Sequence, residues 1–206
     1  MPLDLADSPS PLSAMAALAP VLRDGSNVAA WHRALPVCLF AGLTPLLARG
    51  PFVAIAEDAP DAALATLARN LPLPEMLRAD IAALATTFAA LVGQDRVRIR
   101  LEALRGRGCH RWHADAVGLR LLCTYAGPGT EWLDLTGGAA LARRLDPAHL
   151  MMQPERLGTG DVAVLKGEAW PGNAGNGCIH RSPPNPDDAP LRLVLCLDEP
   201  GRFPAP

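Results

Sequence analysis

The chain has 206 residues, half of them apolar, and a formal net charge of −2; this length suits one sizeable core, and the near balance of charge argues against a nucleic-acid footprint or an acidic tail. No window reaches the roughly 18 uninterrupted apolar residues of a membrane span, and Asp4 and Asp7 stand where a secretory signal needs positive charge. The expectation is therefore a soluble cytoplasmic protein with neither nucleic-acid nor membrane partners, and the excess of arginine over lysine with abundant Ala, Leu and Pro reads as GC-rich bacterial coding.

Residues 1–25 are rich in Pro, Ala and Ser and end in the turn-forming pair Asp24-Gly25. They predict a loosely ordered N-terminal arm with one short helix at 13–22, ahead of a single domain at 26–206. Between 27 and 35 the periodicity selects no element; Trp31 reads as a packing anchor and His32 as an ordinary surface histidine. From Pro51, PFVAIAE is a short β-like run, and DAALATLARNL follows as an amphipathic helix with Asp61 near its N-terminus. A second helix opens at Pro74-Glu75, carries Met76, Leu77, Ile81, Leu84, Phe88 and Leu91 at helical spacing, and stops at Gly93. The helical part thus spans about 58–93.

After Gly93 the period changes to two. Val97, Ile99, Leu101 and Ala103 alternate with Arg96, Arg98, Arg100 and Glu102, the signature of a half-buried strand. Short β-like runs follow near 112–115, 119–125, 131–135, 161–166, 178–181 and 191–197, separated by Gly/Pro turns. Helices first and many short strands second predict an α+β fold: a double-stranded β-helix core, jelly-roll or cupin-like, over about 95–200, with the N-terminal helices packed on one face.

Chemistry concentrates in two stretches of that β half. His113 and Asp115 are two apart, so on a strand they share a face, and His180 lies on a later run. Two histidines and a carboxylate on one side of a metal leave coordination positions open, the arrangement of non-haem Fe(II) oxygenases. A His-x-acid pair alone is a weak signal, because 5 histidines and about one acidic residue in ten give roughly half of one such match by chance. Arg192, opening the last run LRLVLCLD, strengthens it: a guanidinium there can grip the far carboxylate of 2-oxoglutarate. Arg120 is the second candidate for that clamp, and Tyr125 a hydroxyl that can reach the same carboxylate. Thr130 and Trp132 read as pocket-mouth residues, and Lys166 and Glu168 as solvated rim charges. The loop WPGNAGNG before His180 reads as a lid.

Sulfur offers a competing set. The five cysteines, Cys38, Cys109, Cys123, Cys178 and Cys196, are odd in number and form no CxxC pair, which predicts reduced thiols. Cys109 and Cys178 flank the two histidines, so Cys109, His113, Cys178 and His180 form a candidate tetrahedral zinc site. A closed zinc site predicts a non-enzymatic metal-binding or metal-sensing protein, whereas the carboxylate set predicts an enzyme. A core pair of hydrogen-bonded residues without metal, in a fold serving only as an interaction module, is the third reading.

The segments RLEALRGRGCHRWHAD, LRLLCTYAGPGTEWL, GDVAVLKGEAW, IHRSPP and LRLVLCLD resemble an uncharacterised bacterial family, domain of unknown function number eighteen twenty-six, over most of the chain from residue 27 onward. The resemblance implies a link to metal homeostasis, zinc in particular, without naming a reaction. The order of His113-x-Asp115, His180 in HRSPPN, and Arg192 is similar to the phytanoyl-CoA-hydroxylase branch of the Fe(II)- and 2-oxoglutarate-dependent oxygenases. That similarity implies a dioxygenase acting on a small-molecule or protein substrate, with His113, Asp115 and His180 as metal ligands.

Overall fold

The change from helical to twofold periodicity near Gly93 divides the structure as it divides the sequence. The computed structural model describes residues 11–106, 108–146 and 150–201; the first ten residues of the expected arm lie outside the described residues. Helix α1 (Pro11–Leu18) continues into a 3-10 turn at Ala19–Leu22, followed by strand β1 (Val28–Trp31). Leu18 and Val21 are fully buried, so this part of the arm is packed. Short helices α2 (Val37–Gly42) and α3 (Thr44–Leu47) precede strand β2 (Phe52–Asp58). The two expected helices are α4 (Pro60–Asn70) and α5 (Glu75–Val92). Proline at the first turn of α4 has no N–H to leave unpaired. Gly93 closes α5 in the left-handed conformation, φ 65°, which lets Gln94 N–H reach the Ala89 carbonyl at 3.0 Å.

The second half supplies β3 (Val97–Leu104), β4 (Leu119–Ala126), β5 (Glu131–Leu133), helix α6 (Gly138–Ala142), β6 (Glu155–Arg156), β7 (Val162–Lys166), β8 (Ile179–Arg181) and β9 (Arg192–Asp198). Every pairing is antiparallel: one six-stranded sheet runs β1-β7-β4-β9-β3-β2, and a three-stranded sheet runs β6-β5-β8. The fold is thus mixed helix and antiparallel sheet. β1 became a strand, although its own sequence selects nothing, because its residues pair with the apolar β7.

Alternation along the large sheet decides what each face meets. Leu121, Cys123 and Tyr125 of β4 and Leu193, Leu195 and Leu197 of β9 join Leu77, Ile81, Leu84 and Phe88 of α5 in the main core. Their neighbours Leu122 and Cys196 point the other way and pack with Leu165 of β7 and with Trp132, Leu157 and Cys178 from the small-sheet side. Residues of α5 thus join one face of the large sheet in the main core, and residues from the small-sheet side join the other. Beneath the helices a buried ion pair is fully hydrogen-bonded: Arg33 donates to both oxygens of Asp80 at 2.5 and 2.7 Å, and Tyr125 donates to the same carboxylate at 2.6 Å. Among the described residues no helix is long and apolar enough to cross a membrane.

Candidate metal centre

Between the two sheets, on the face away from the helices, the chain brings His113, Asp115 and His180 together. His113 belongs to no long strand; it makes an isolated antiparallel bridge with His180 of β8. Its neighbour Trp112 turns outward into a small cluster with Leu133, Ala142 and Ile179, and the Arg181 guanidinium lies over the indole at 4.3 Å. That anchoring turns His113 inward beside His180, with ring centroids 4.4 Å apart. Asp115 follows in the connection to β4, held through its carbonyl by the Glu168 N–H at 2.8 Å.

One ligand atom from each of the three residues lies within 4.8 Å of the others. Asp115 Oδ1 is 3.7 Å from His113 Nε2, and Oδ2 is 3.2 Å from His180 Nε2. Adjacent ligands of one metal sit about 3 Å apart when each bond is about 2.1 Å, so modest closure completes a facial set. The imidazoles are oriented for it. Nδ1 of His113 faces the Arg111 carbonyl at 2.9 Å, and Nδ1 of His180 faces the Cys178 carbonyl at 3.1 Å. A carbonyl only accepts, so each Nδ1 carries the hydrogen and each Nε2 is directed at the centre, as metal-ligating histidines are. Burial, then the neighbouring His180, lowers the His113 pKa and favours its neutral, ligating form. Burial alone would raise the Asp115 carboxyl, but the hydrogen bond and charge of His180, with Arg120 and His113 behind them, hold it well below the usual range. Two imidazoles and a carboxylate fit Fe(II) with open positions.

A cavity of about 230 Å³ opens beside the two histidines, and Arg192, Ser182, Thr130 and Cys109 help to line it. Arg192 is buried, and among the described residues its hydrogen-bond acceptors are all neutral. Its Nε donates to the Pro128 carbonyl at 2.7 Å, Nη1 to Ser182 Oγ at 2.9 Å, and Nη2 to Thr124 and Thr130 hydroxyls at 3.3 and 3.2 Å. Burial brings its pKa down to about 10, against the pull of Glu102, so it remains a cation at neutral pH. Ser182 and Thr124 were not singled out by the sequence; their signal was their place beside His180 and on the site-facing register of β4.

Several expectations need correction. Tyr125 is not at the site: it lies on the opposite face of β4 from Arg120, fully buried, with its hydroxyl on Asp80. Arg120 reaches the site but is not available as a cosubstrate clamp, since it donates to Asp115 Oδ2 at 2.7 Å and to both oxygens of Asp198 at 2.7 and 3.0 Å. The zinc set does not assemble: among the described residues the only cluster of three or more possible ligands is His113, Asp115 and His180, and neither Cys109 nor Cys178 joins it. Burial, with Asp115 and Asp134 nearby, pushes the Cys178 thiol up to about 12, away from the thiolate that zinc requires. Thr130 lines the cavity, while Trp132 packs between the sheets. Lys166 and Glu168 are not rim charges. Lys166 is buried with Nζ on the Arg23 carbonyl at 3.0 Å, and Glu168 accepts the N–H groups of Ala139, at 2.7 Å, and Gly175. The expected lid is tied down as well, by Gly167 N–H to the Gly118 carbonyl at 2.8 Å and by the buried Asn173.

An antiparallel two-sheet protein with a His-Asp-His cluster between its sheets is the class these features define. The chain belongs to the family described as "Protein of unknown function (DUF1826)", which matches residues 13–198. No curated protein matches it. Among solved structures it is similar to a bsmA homolog from Methylobium petroleophilum, at 16% identity and TM-score 0.56, covering 100% of this chain and 99% of that one. It is also similar to the dioxygenase for auxin oxidation of rice, at 17% identity and TM-score 0.46 over 94% of this chain and 70% of that one. The Arabidopsis thaliana dioxygenase for auxin oxidation 1, in complex with 2-oxoglutarate, gives 14% identity and TM-score 0.48 over 84% and 68%. The first of these carries the likeness in fold.

Proposed function

We propose that the protein is an Fe(II)- and 2-oxoglutarate-dependent oxygenase of the hydroxylase type, with the large and small sheets as the two halves of a double-stranded β-helix. The observation that carries this reading is the convergence of the His113 and His180 Nε2 atoms on the Asp115 carboxylate beside the buried cation Arg192. His113, Asp115 and His180 hold the metal. Arg192 receives the far carboxylate of 2-oxoglutarate, its guanidinium already fixed by Pro128, Ser182, Thr124 and Thr130, so that little side-chain entropy is lost on binding. Iron with 2-oxoglutarate and dioxygen supplies oxidative hydroxylation, with succinate and carbon dioxide released. The chain itself provides orientation and partial exclusion of water: the inter-sheet cluster of Leu122, Trp132, Leu165 and Cys196 closes one side of the site. A cytoplasmic setting suits it, because all five cysteines are free thiols and reducing conditions keep iron divalent.

Anaerobic titration of the Fe(II)-loaded protein with 2-oxoglutarate tests the proposal. A charge-transfer absorption band is expected in the wild type and absent in His113→Ala. A wild type that binds iron without responding to 2-oxoglutarate would overturn the oxygenase reading.

A further inference from the structure

Arg120 and Asp198 face each other directly across β4 and β9, so their side chains share the site-facing surface of the large sheet. The guanidinium makes a two-pronged contact with Asp198 through Nε and Nη2, at 2.7 and 3.0 Å, and directs Nη1 to Asp115 Oδ2 at 2.7 Å. The Asp198 and Arg120 side chains are 4% and 14% exposed. Asp115 itself sits in a connection, outside any strand, where backbone pairing does not fix its side chain.

We infer that Arg120, braced by Asp198, is a positioning residue that sets the orientation of the Asp115 carboxylate and hence the metal affinity of the centre. The inference rests on the metal reading above and goes beyond it. Asp198 alone suffices to pair the Arg120 charge, so the third hydrogen bond, to Asp115, does something charge neutralisation does not require. It locks the plane of the carboxylate, with Oδ2 toward His180 and Oδ1 toward His113. A guanidinium does this and an ammonium does not, because only the planar fork serves two carboxylates at fixed angles. Arg120, with Arg100, lines both the site cavity and a second cavity of about 260 Å³ that Arg98, Asp198 and residues 115–117 also line. Support from groups behind the ligands commonly changes metal affinity by about 10–100-fold.

A structural ion pair would look similar, and the test separates the two roles. Co(II) binding and the Co(II) ligand-field spectrum are measured on the full chain for the wild type, His113→Ala, Arg120→Lys and the double variant Arg120→Met/Asp198→Leu. The double variant removes both members of the pair, a change buried ion pairs often tolerate without unfolding. The expectation is a folded double variant whose Co(II) affinity is about 10–100-fold weaker, with an altered spectrum, and Arg120→Lys impaired in the same direction. Wild-type affinity and spectrum in the double variant, or in a folded Arg120→Lys should the double variant not fold, would overturn the positioning role and leave the metal centre intact. Wild-type Co(II) binding indifferent to His113→Ala would overturn the centre itself, and the positioning role with it.

Discussion

His113 and His180 exchange both of their backbone hydrogen bonds, His113 N–H to the His180 carbonyl at 3.0 Å and the reverse at 2.9 Å. This single bridge sets the register of the centre. A slip of one residue would place Trp112 or Ala114 opposite His180 and carry the ring of residue 113 to the other face. The two imidazoles are therefore brought together by the peptide chain itself.

A preformed centre predicts that metal stabilises the folded protein by mass action without being needed for folding. Co(II) or Fe(II) at a hundredfold excess over its dissociation constant should add about 2.7 kcal/mol to the wild type, read as a rise in Tm. The His113 side chain is 32% exposed, so His113→Ala should leave the metal-free Tm within a few degrees and abolish the rise. A metal-free wild type lacking cooperative unfolding would contradict preformation.

Gly167 predicts a backbone route to the same centre. A Cβ at this position would lie 2.7 Å from the Asp115 carbonyl oxygen and closer still to that of Val117, so backbone must move. Gly167→Ala should destabilise the protein by about 1–3 kcal/mol and weaken metal binding by shifting Asp115. Gly172→Ala is the control: it strains a positive φ of 78° but meets open space, and metal affinity should not change. Equal metal affinity in the two variants would show that the loop does not support Asp115.

The placement of Tyr125 yields a separation of stability from binding. Its hydroxyl donates to the buried Asp80 carboxylate, which Arg33 also engages. Tyr125→Phe should cost about 1.5–3 kcal/mol, the range for a hydrogen bond to a charged group, measured by urea denaturation. Affinity for 2-oxoglutarate, followed by calorimetry with the metal-loaded protein, should stay at the wild-type value. A large loss of 2-oxoglutarate affinity would return Tyr125 to the site.

These cases mark how far the sequence could be read. The alternation of Val97 to Ala103, the helical spacing of Leu77 to Leu91 and the stop at Gly93 follow from local geometry, and all three reappear as β3 and α5. The His-x-Asp pair was legible as well, although it occupies an isolated bridge and the connection to β4 instead of a regular strand. Parity was the missed constraint. Residues 120 and 125 differ by an odd number, so one strand cannot send both to the same face, and β4 gives the site Arg120 while Tyr125 goes under the helices. Lys166 and Glu168 were misread for another reason. A charged residue in isolation favours solvent, and partners remote in sequence, the Arg23 carbonyl for Lys166 and the N–H group of Ala139 for Glu168 with that of Gly175, compensate its removal from water. Such partners are set by tertiary contact, as are the hydroxyls that Ser182 and Thr124 bring to Arg192.

Glu131 predicts the acid limb of the stability profile. Its side chain is 2% exposed and is engaged by Arg181 Nε at 2.8 Å and by Arg156 across the small sheet. Burial raises the pKa of the carboxyl, but the two arginines outweigh it and depress the folded value below 4.5. In the window between the folded and unfolded values the unfolded chain binds the extra proton, so stability rises with pH there. The contribution is fully present above about 4.5 and is lost as pH falls through the lower, folded value. Glu131→Gln removes the titration. Its stability measured against pH should therefore fall less steeply below about 4.5 than that of the wild type, while near neutral pH it should be the less stable of the two, since β5 loses its charged anchor to β6 and β8. Parallel acid limbs for the two proteins would show that this pair of contacts does not govern acid unfolding.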